Sequence, residues 1–596
     1  PSRVYTGTQN GTSTQFINSV PSGGNNFAIN RPCDYCQAKP PIAHATYING
    51  ASTTATSVYS VTYGGAAKSP LATGGGVGSV WGLAWDRTNS TLYASAVARN
   101  GSAMGPGGLG AIYAIDKTGV LAPTVLATIP NVGTYVPGEN EGMVGLGDID
   151  ISADDSTLYT VNLNDRQLYA VPIANPTAMQ AYPIPDPGCV GGTYRPWATK
   201  VYGGKVYVGI VCDASTSLLQ ADLHEYVYAL DPATGAWTKV IDRPYSQMET
   251  VWGPWKTTAA AWQPILVDIE FDEQGNMLIN DSSRYAFTAT GGQSLGFVAR
   301  ACGNVTTGWT VCDNRWGPQL YYAPGGLAYN IGAGEFIVGY RDPNDVNMSN
   351  GAEAYNNYTQ ANTFGYILSG AFGKGLSTGD IELMCDPAPI EIGNRVWYDV
   401  NSNGVQDPGE QPISGVVVSL VTISGTVNVT TNVNGNYYFT RETTSGAYAT
   451  SLRPNTPYTI YINPAQSALT GWSLTAANTQ AISGSTTSNH AILDTIDSDG
   501  NLVSGVPTIY YTTGTAGQNN HGLDFGFTQP YTSSAIITNT YASAPATLTP
   551  TPTATETPTN TPTATQTPTE TPTNTPTATN TPTETPTNTP TVTNTP

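Results

Sequence analysis

Only 11% of the 596 residues are charged, less than half the ~25% usual for soluble globular chains. The 22 Lys and Arg against 42 Asp and Glu, a formal net charge of −20, argue against a nucleic-acid partner, which needs clustered cations for its phosphates. No apolar run reaches the ~18–20 residues of a membrane span, while 39% hydrophobic residues, 64 Gly and 35 Tyr favour large β cores.

Residues 1–28 are read as an N-terminal segment. A chain that starts at Pro1 without a leader is expected to be a mature or trimmed extracellular protein. From 29 to 388 an irregular motif recurs, a short apolar strand, a polar turn and a second strand. It reads Trp81–Asp86 with Thr91–Ser95, Gly147–Ser152 with Thr157–Val161, Val267–Asp272 with Asn276–Ile279, and Gly326–Tyr329 with Glu335–Val338. A second motif, a strand running into a turn, joins Ile112–Asp116 to Thr118-Gly119 and Val227–Asp231 to Thr234-Gly235. Short alternating strands with Gly, Asp and Asn turns and no long helical period predict an all-β chain that opens with a β-propeller of six or seven blades.

Three acidic pairs stand out in this region: Asp148/Asp150, Asp268/Glu270 and Asp380/Glu382. Two residues apart in a strand, the members of each pair face the same way. Projecting into a central channel, they would hold a cation or polar ligand. The favoured alternative is that they anchor blade turns through backbone hydrogen bonds. Gly292-Gln-Ser-Leu-Gly296 matches G-x-S-x-G but lacks the following helix that a nucleophile elbow requires. His44, His224, His490 and His521 show no metal spacing, and Cys33/Cys36 has no partner pair at zinc-finger distance. All seven cysteines precede residue 390 and suit an oxidising compartment. Cys189 and Cys212 fall on neighbouring strands, and Cys302 and Cys312 bracket a short loop. A bridge from Cys33 or Cys36 to Cys385 would close the ring, and one thiol is left over.

Residues 389–530 read as an Ig-like β-sandwich, with strands around Arg395–Tyr398, Gly415–Leu420, Gly435–Phe439 and Tyr458–Tyr461. Asp399-Val-Asn-Ser-Asn-Gly-Val-Gln-Asp-Pro-Gly-Glu410 fits the twelve-position calcium loop D-x-N-x-N-G-x5-E. Ca2+ takes six to eight hard oxygens. Asp399, Asn401 and Asn403 supply side-chain oxygens, Val405 its carbonyl, Asp407 a direct or water-mediated ligand, and Glu410 a bidentate carboxylate. The flanking strands make it a structural loop, and Asp494, Asp497 and Asp499 form a candidate second metal group.

The run Ile392–Glu410, the Asn434-Gly-Asn-Tyr437 turn and the closing Asp524-Phe-Gly-Phe527 resemble the SdrD B-like (Cna B-type-like) domain of bacterial surface proteins. That resemblance implies calcium in the same loop. The region before it is similar, more loosely, to the propeller-like domain found ahead of such modules, through Gly145–Asp148, Pro196-Trp197, Asp268–Glu270 and Cys385–Glu391. Related Ig-like modules lock themselves with a Lys–Asn isopeptide bond. Residues 375–596 contain no Lys, so that device is closed to this sandwich.

Residues 531–596 are a Thr/Pro-rich linker or stalk, with 25 Thr and 11 Pro in positions 547–596. Its composition suits O-glycosylation of an extended polyproline-type rod. The whole reads as a non-enzymatic structural or adhesive protein of the bacterial cell surface, with Ca2+ as its cofactor. Its expected partners are other surface proteins, glycans or further copies of itself, in a layer or filament. The runner-up is a calcium-dependent propeller enzyme, lactonase-, hydrolase- or lyase-like, acting on a sugar or lactone, which rests on the acidic pairs alone.

Overall fold

A computed structural model describes residues 35–529 apart from positions 38, 48–49, 51, 246–251, 257–262, 289–294, 305–306, 317–324, 342, 344–348, 370–377, 387–389, 423–424, 441–451, 478–495 and 515–516. The Thr/Pro tract, Cys33, His490, Asp494 and most of the Gly292–Gly296 motif lie outside those residues.

Continuous apolar runs become fully buried inner strands, because each lies between two neighbouring sheets. Val80–Asp86 and Pro264–Phe271 are buried at every position. Outer strands such as Thr124–Thr128 keep only one buried residue. Six four-stranded antiparallel sheets result, the topology of a six-bladed propeller. Their inner strands are Ile381–Leu383 in blade 1, Val80–Asp86 in blade 2, Leu146–Ile151 in blade 3, Tyr194–Tyr202 in blade 4, Pro264–Phe271 in blade 5 and Leu327–Asn330 in blade 6. Each packs beside the next, and blade 6 returns to blade 1. The motif strands fall on the first and second strands of blades 2, 3, 5 and 6. Where a strand ends in Asp-x-Thr-Gly, the Asp116 carboxylate accepts the Thr118 N–H at 3.1 Å. Gly119 takes φ +68° and Gly235 φ +72°, a left-handed turn that a side chain would strain.

Closure mixes the two ends of the domain. Ile381–Leu383 pairs antiparallel with Ile42–Ala45, joining Ile42 to Leu383. The Cys36–Cys385 disulfide fastens the same seam, with Cα atoms 4.9 Å apart across 349 positions. Cys189–Cys212 and Cys302–Cys312 are the other bridges among the described residues. Trp81 of blade 2 and Trp197 of blade 4 meet edge to face at 5.7 Å, and Phe287 packs on both at 5.1 and 4.7 Å.

The following domain is a two-sheet sandwich of four and five strands. Glu391–Tyr398 is central to the smaller sheet and runs parallel to Phe525–Thr528, with Val396 opposite Phe525. Val418, Leu420, Ile460 and Ile462 of the larger sheet meet Ile392, Val396, Phe439 and Phe525 of the smaller in one core. Arg453 of the sandwich ion-pairs with the buried Glu273 of the propeller and lies 4.0 Å over the Tyr358 ring. Tyr329 donates a hydrogen bond to the same Glu273.

Reduction should lower the propeller's melting transition and leave the sandwich, which has no cysteine, unmoved. Replacing Cys36 and Cys385 by Ser should cost about 2–5 kcal/mol, since the bridge closes nearly the whole domain. Superimposable calorimetric scans of the full chain with and without reductant would contradict this.

Candidate functional site

The Asp399–Glu410 segment turns through Ser402 at φ +59° and Gly404 at φ +78°. The fully buried Asp399 accepts N–H bonds from Asn403 at 3.2 Å and Gly404 at 2.8 Å, and a bond from the Thr475 hydroxyl. Asn401 and Asn403 each donate to Asp407 Oδ2, at 2.6 and 2.8 Å. Glu410 folds back to accept the Val400 N–H at 2.8 Å and the Asp407 N–H at 3.0 Å. Burial, with the Asp399 and Asp407 carboxylates nearby, pushes the Glu410 carboxyl up from its ordinary pKa. Gln406 N–H and Gly404 C=O bond to Ile496 and Ser498, and neither bond uses the Val405 carbonyl. The oxygens gathered here are all hard, and their carboxylates crowd one another, the donor chemistry that suits calcium.

The same pairing brings Val405 opposite Asp497. Asp499 lies beside them and accepts the Asp524 N–H at 2.7 Å. Asp524, fully buried, accepts the Arg395 N–H at 2.9 Å, and burial with the neighbouring Asp499 charge raises its pKa well above the usual range. Sequence reasoning grouped Asp497 and Asp499 with Asp494 and passed over Asp524. The signal was present in the Asp524-Phe-Gly-Phe527 run, where a lone acid sits among apolar strand residues.

The three acidic pairs of the propeller converge. They line one small central cavity of about 10 Å³ with Leu83, Ile149, Thr199, Lys200 and Leu327. They come from alternate blades, 3, 5 and 1, and their leading residues share one bonding pattern. Asp148 accepts the N–H of Ile149 at 2.9 Å and of Thr199, in blade 4, at 3.0 Å. Asp268 accepts from Ile269 at 2.7 Å and from Leu327, in blade 6, at 2.6 Å. Asp380 accepts from Ile381 at 2.6 Å and from Leu83, in blade 2, at 2.8 Å. The inner strands of blades 2, 3, 4 and 5 carry register shifts at Val80/Leu83, Leu146/Ile149, Pro196/Thr199 and Leu266/Asp268. Bulges release N–H groups from the ladder, and these carboxylates receive them. Glycine permits the close approach: a Cβ at Gly82 would lie 2.6 Å from Ile149 N, and one at Gly326 2.4 Å from Asp380 Cα. The expectation that these acids anchor turns is therefore corrected. They do bond backbone amides, but they join blade to blade.

Lys200 of blade 4 reaches Glu270 at 2.6 Å and Asp150 at 3.7 Å. Burial works against its charge, yet Asp150, Glu270 and Glu382 more than offset this and hold its pKa well above the ordinary value. Burial raises Asp268 to about 6 and Glu270 to about 7. Asp148, Asp380 and Glu382 stand well above their usual range, from burial and from the charges of the surrounding acids, Asp268 acting on all three. Among the described residues, no three His, Cys, Asp or Glu side chains are disposed as a metal cluster. The three histidines described have local partners: His44 bonds Tyr366, His224 bonds Asp242, and His521 bonds Glu391.

Residues 390–469 match the SdrD B-like domain, so the chain carries a domain of that class. Colossin-A of Dictyostelium discoideum is 27% identical over 441 residues, covering 59% of this chain and 4% of Colossin-A. Serine-aspartate repeat-containing protein D of Staphylococcus aureus (strain Newman) is 30% identical over 174 residues, 28% of this chain and 12% of that protein. The chain thus spans a small part of these relatives. Among solved structures, the nidogen/laminin complex aligns at 9% identity and TM-score 0.36, over 57% of this chain and 97% of that one. A score that low carries no argument.

Removing the ammonium at Lys200 should leave buried carboxylates unopposed. Lys200→Met should destabilise the propeller by about 3–5 kcal/mol at mildly alkaline pH. Lys205→Met, which breaks only the half-exposed 3.9 Å pair with Asp231, should cost about 0.5 kcal/mol or less. Urea unfolding of both variants checks the contrast.

Proposed function

We propose that this chain is an extracellular, non-enzymatic protein of a cell surface, structural or adhesive, with a propeller head on a calcium-stiffened sandwich. The observation that carries the reading is the SdrD B-like match at 390–469, which contains the whole twelve-residue loop. Three disulfides fit an oxidising compartment. The proposed ligands are Asp399, Asn401, Asn403, Val405, Asp407 and Glu410, with Asp497 and Asp499 near a second ion. The Thr/Pro tract serves as an O-glycosylated stalk, and the head meets other surface proteins, glycans or further copies of the chain.

The enzyme alternative draws on the convergence of the acidic pairs. Two features weigh against it. A cavity of about 10 Å³ falls far below the ~300–1,000 Å³ of ligand pockets. Both oxygens of Asp148, Asp268 and Asp380 are also occupied by backbone N–H groups.

Calcium at roughly 10–100 times its dissociation constant should stabilise the sandwich by about 1.4–2.7 kcal/mol, read as a rise of its melting transition. Extracellular modules bind at ~10⁻⁴–10⁻³ M, so millimolar calcium suffices. Glu410→Ala should remove most of the rise, and equal melting with calcium and with chelator would end the calcium reading. Immuno-electron microscopy with antibody to the propeller tests location. Label confined to the cell interior would end the surface reading.

A further inference from the structure

Among the described residues, the propeller hub holds more acid than its one lysine can neutralise. Element by element, the charged groups facing the cavity are Asp380 and Glu382 of blade 1, Asp148 and Asp150 of blade 3, Lys200 of blade 4, and Asp268 and Glu270 of blade 5. Blades 2 and 6 contribute Leu83 and Leu327. Fully ionised, six negative charges would face a single positive one. Lys200 bonds toward Glu270 and Asp150. Asp268 and Asp380 line the same cavity without a cation among the described residues bonded to either, and the Asp268 charge raises the Asp380 carboxyl beyond what burial does. Carboxylates crowded into one buried cavity cannot all ionise, and one of them keeps its proton.

We propose that the hub is a proton-retaining lock: the folded ring keeps a carboxyl proton shared between Asp268 and Asp380 at neutral pH, and losing it in alkali loosens the blade junctions those residues make. The junctions concerned are blade 5 to 6 through Leu327 N–H and blade 1 to 2 through Leu83 N–H. Asp148 makes the equivalent junction from blade 3 to 4 and feels the Asp268 charge.

The sign of the pH dependence follows. In the unfolded chain these carboxyls release their protons near pH ~4. In the folded ring they hold them to about 6 at Asp268 and about 7 at Glu270, and Asp148, Asp380 and Glu382 are likewise held well above their usual range. The folded state therefore binds more protons across that interval, and stability falls as pH rises through it. His44 acts in the opposite sense. Burial lowers its pKa to about 3, so its contribution is lost as pH falls below ~6.5. The hub is best read above that value. Asp281 and Asp524 are also raised by burial, so differences between variants isolate the hub.

Two measurements on the full chain test the lock. Infrared absorption in deuterated buffer at neutral pH should show a protonated-carboxyl band that shrinks in Asp380→Asn. Urea unfolding between about pH 6.5 and pH 9 should show the propeller's folding constant falling by about tenfold per pH unit for each proton retained. Glu382→Gln removes one charge and none of the described backbone bonds, so it should make that fall shallower. Lys200→Met should make it steeper. Should Asp380→Asn fail to fold, the Glu382→Gln comparison stands alone. A band unaltered in folded Asp380→Asn, or pH profiles identical in wild type and Glu382→Gln, would overturn the proposal. So would loss of the band on adding millimolar calcium, which would place a cation where the proton is proposed.

Discussion

Carboxylates that catch backbone amides across the gap between neighbouring blades hold the centre of this propeller together. An inner strand has a ladder partner on one side only, so its other edge presents polar groups to the central axis. Bulges at Leu83, Ile149 and Thr199 turn N–H groups out of register. Asp380 and Asp148 then receive them. Each bond satisfies a buried donor, and those from Leu83 and Thr199 also join two sheets. The cost is negative charge concentrated in a small volume, which Lys200 and retained protons relieve only together.

The two domains reach rigidity by different chemistry. The propeller uses covalent bridges, with Cys36–Cys385 placed where the ring would otherwise open. The sandwich has neither cysteine nor lysine, so disulfide and isopeptide locks are both closed to it. Its edge depends on the Asp399–Glu410 loop and the 496–498 segment paired to it. Between the domains, Arg453 satisfies a Glu273 that has only 4% of its surface exposed. A buried carboxylate that needs its neighbour's guanidinium ties the orientation of the sandwich to the propeller.

Much of this architecture was legible because burial on both faces leaves continuous apolar runs. Trp81–Asp86, Gly147–Ser152 and Val267–Asp272 could be read as inner strands, and Thr118-Gly119 and Thr234-Gly235 as turns, from local chemistry alone. The Asp399–Glu410 turn could be picked out because its oxygens lie within twelve consecutive residues. What escaped was set by distant partners. Ile381–Leu383 is three residues long and becomes a strand only beside Ile42–Ala45. Nothing in the local sequence tells Asp524 that Asp499 lies beside it. The direction of the acidic pairs was equally hidden, because period-two alternation gives a shared face without saying what that face meets.

The acidic motif also shows why the repeat looked irregular. Asp148-Ile-Asp150, Asp268-Ile-Glu270 and Asp380-Ile-Glu382 begin 120 and 112 positions apart, the length of two blades rather than one. Each Asp bonds forward to the blade that follows it, and the receiving blades, 4, 6 and 2, present the amide of Thr199, Leu327 or Leu83 and no acid of their own. The structural unit is therefore a pair of unlike blades, one donating carboxylates and one donating N–H groups, repeated three times around the axis. The third pair is split by the chain: its acidic inner strand is the last of the domain and the rest of its blade is the first. A single-blade period cannot describe such a ring. Chain order thus sets each acidic blade beside a blade that offers an amide, so each leading Asp meets a donor at the junction that follows it.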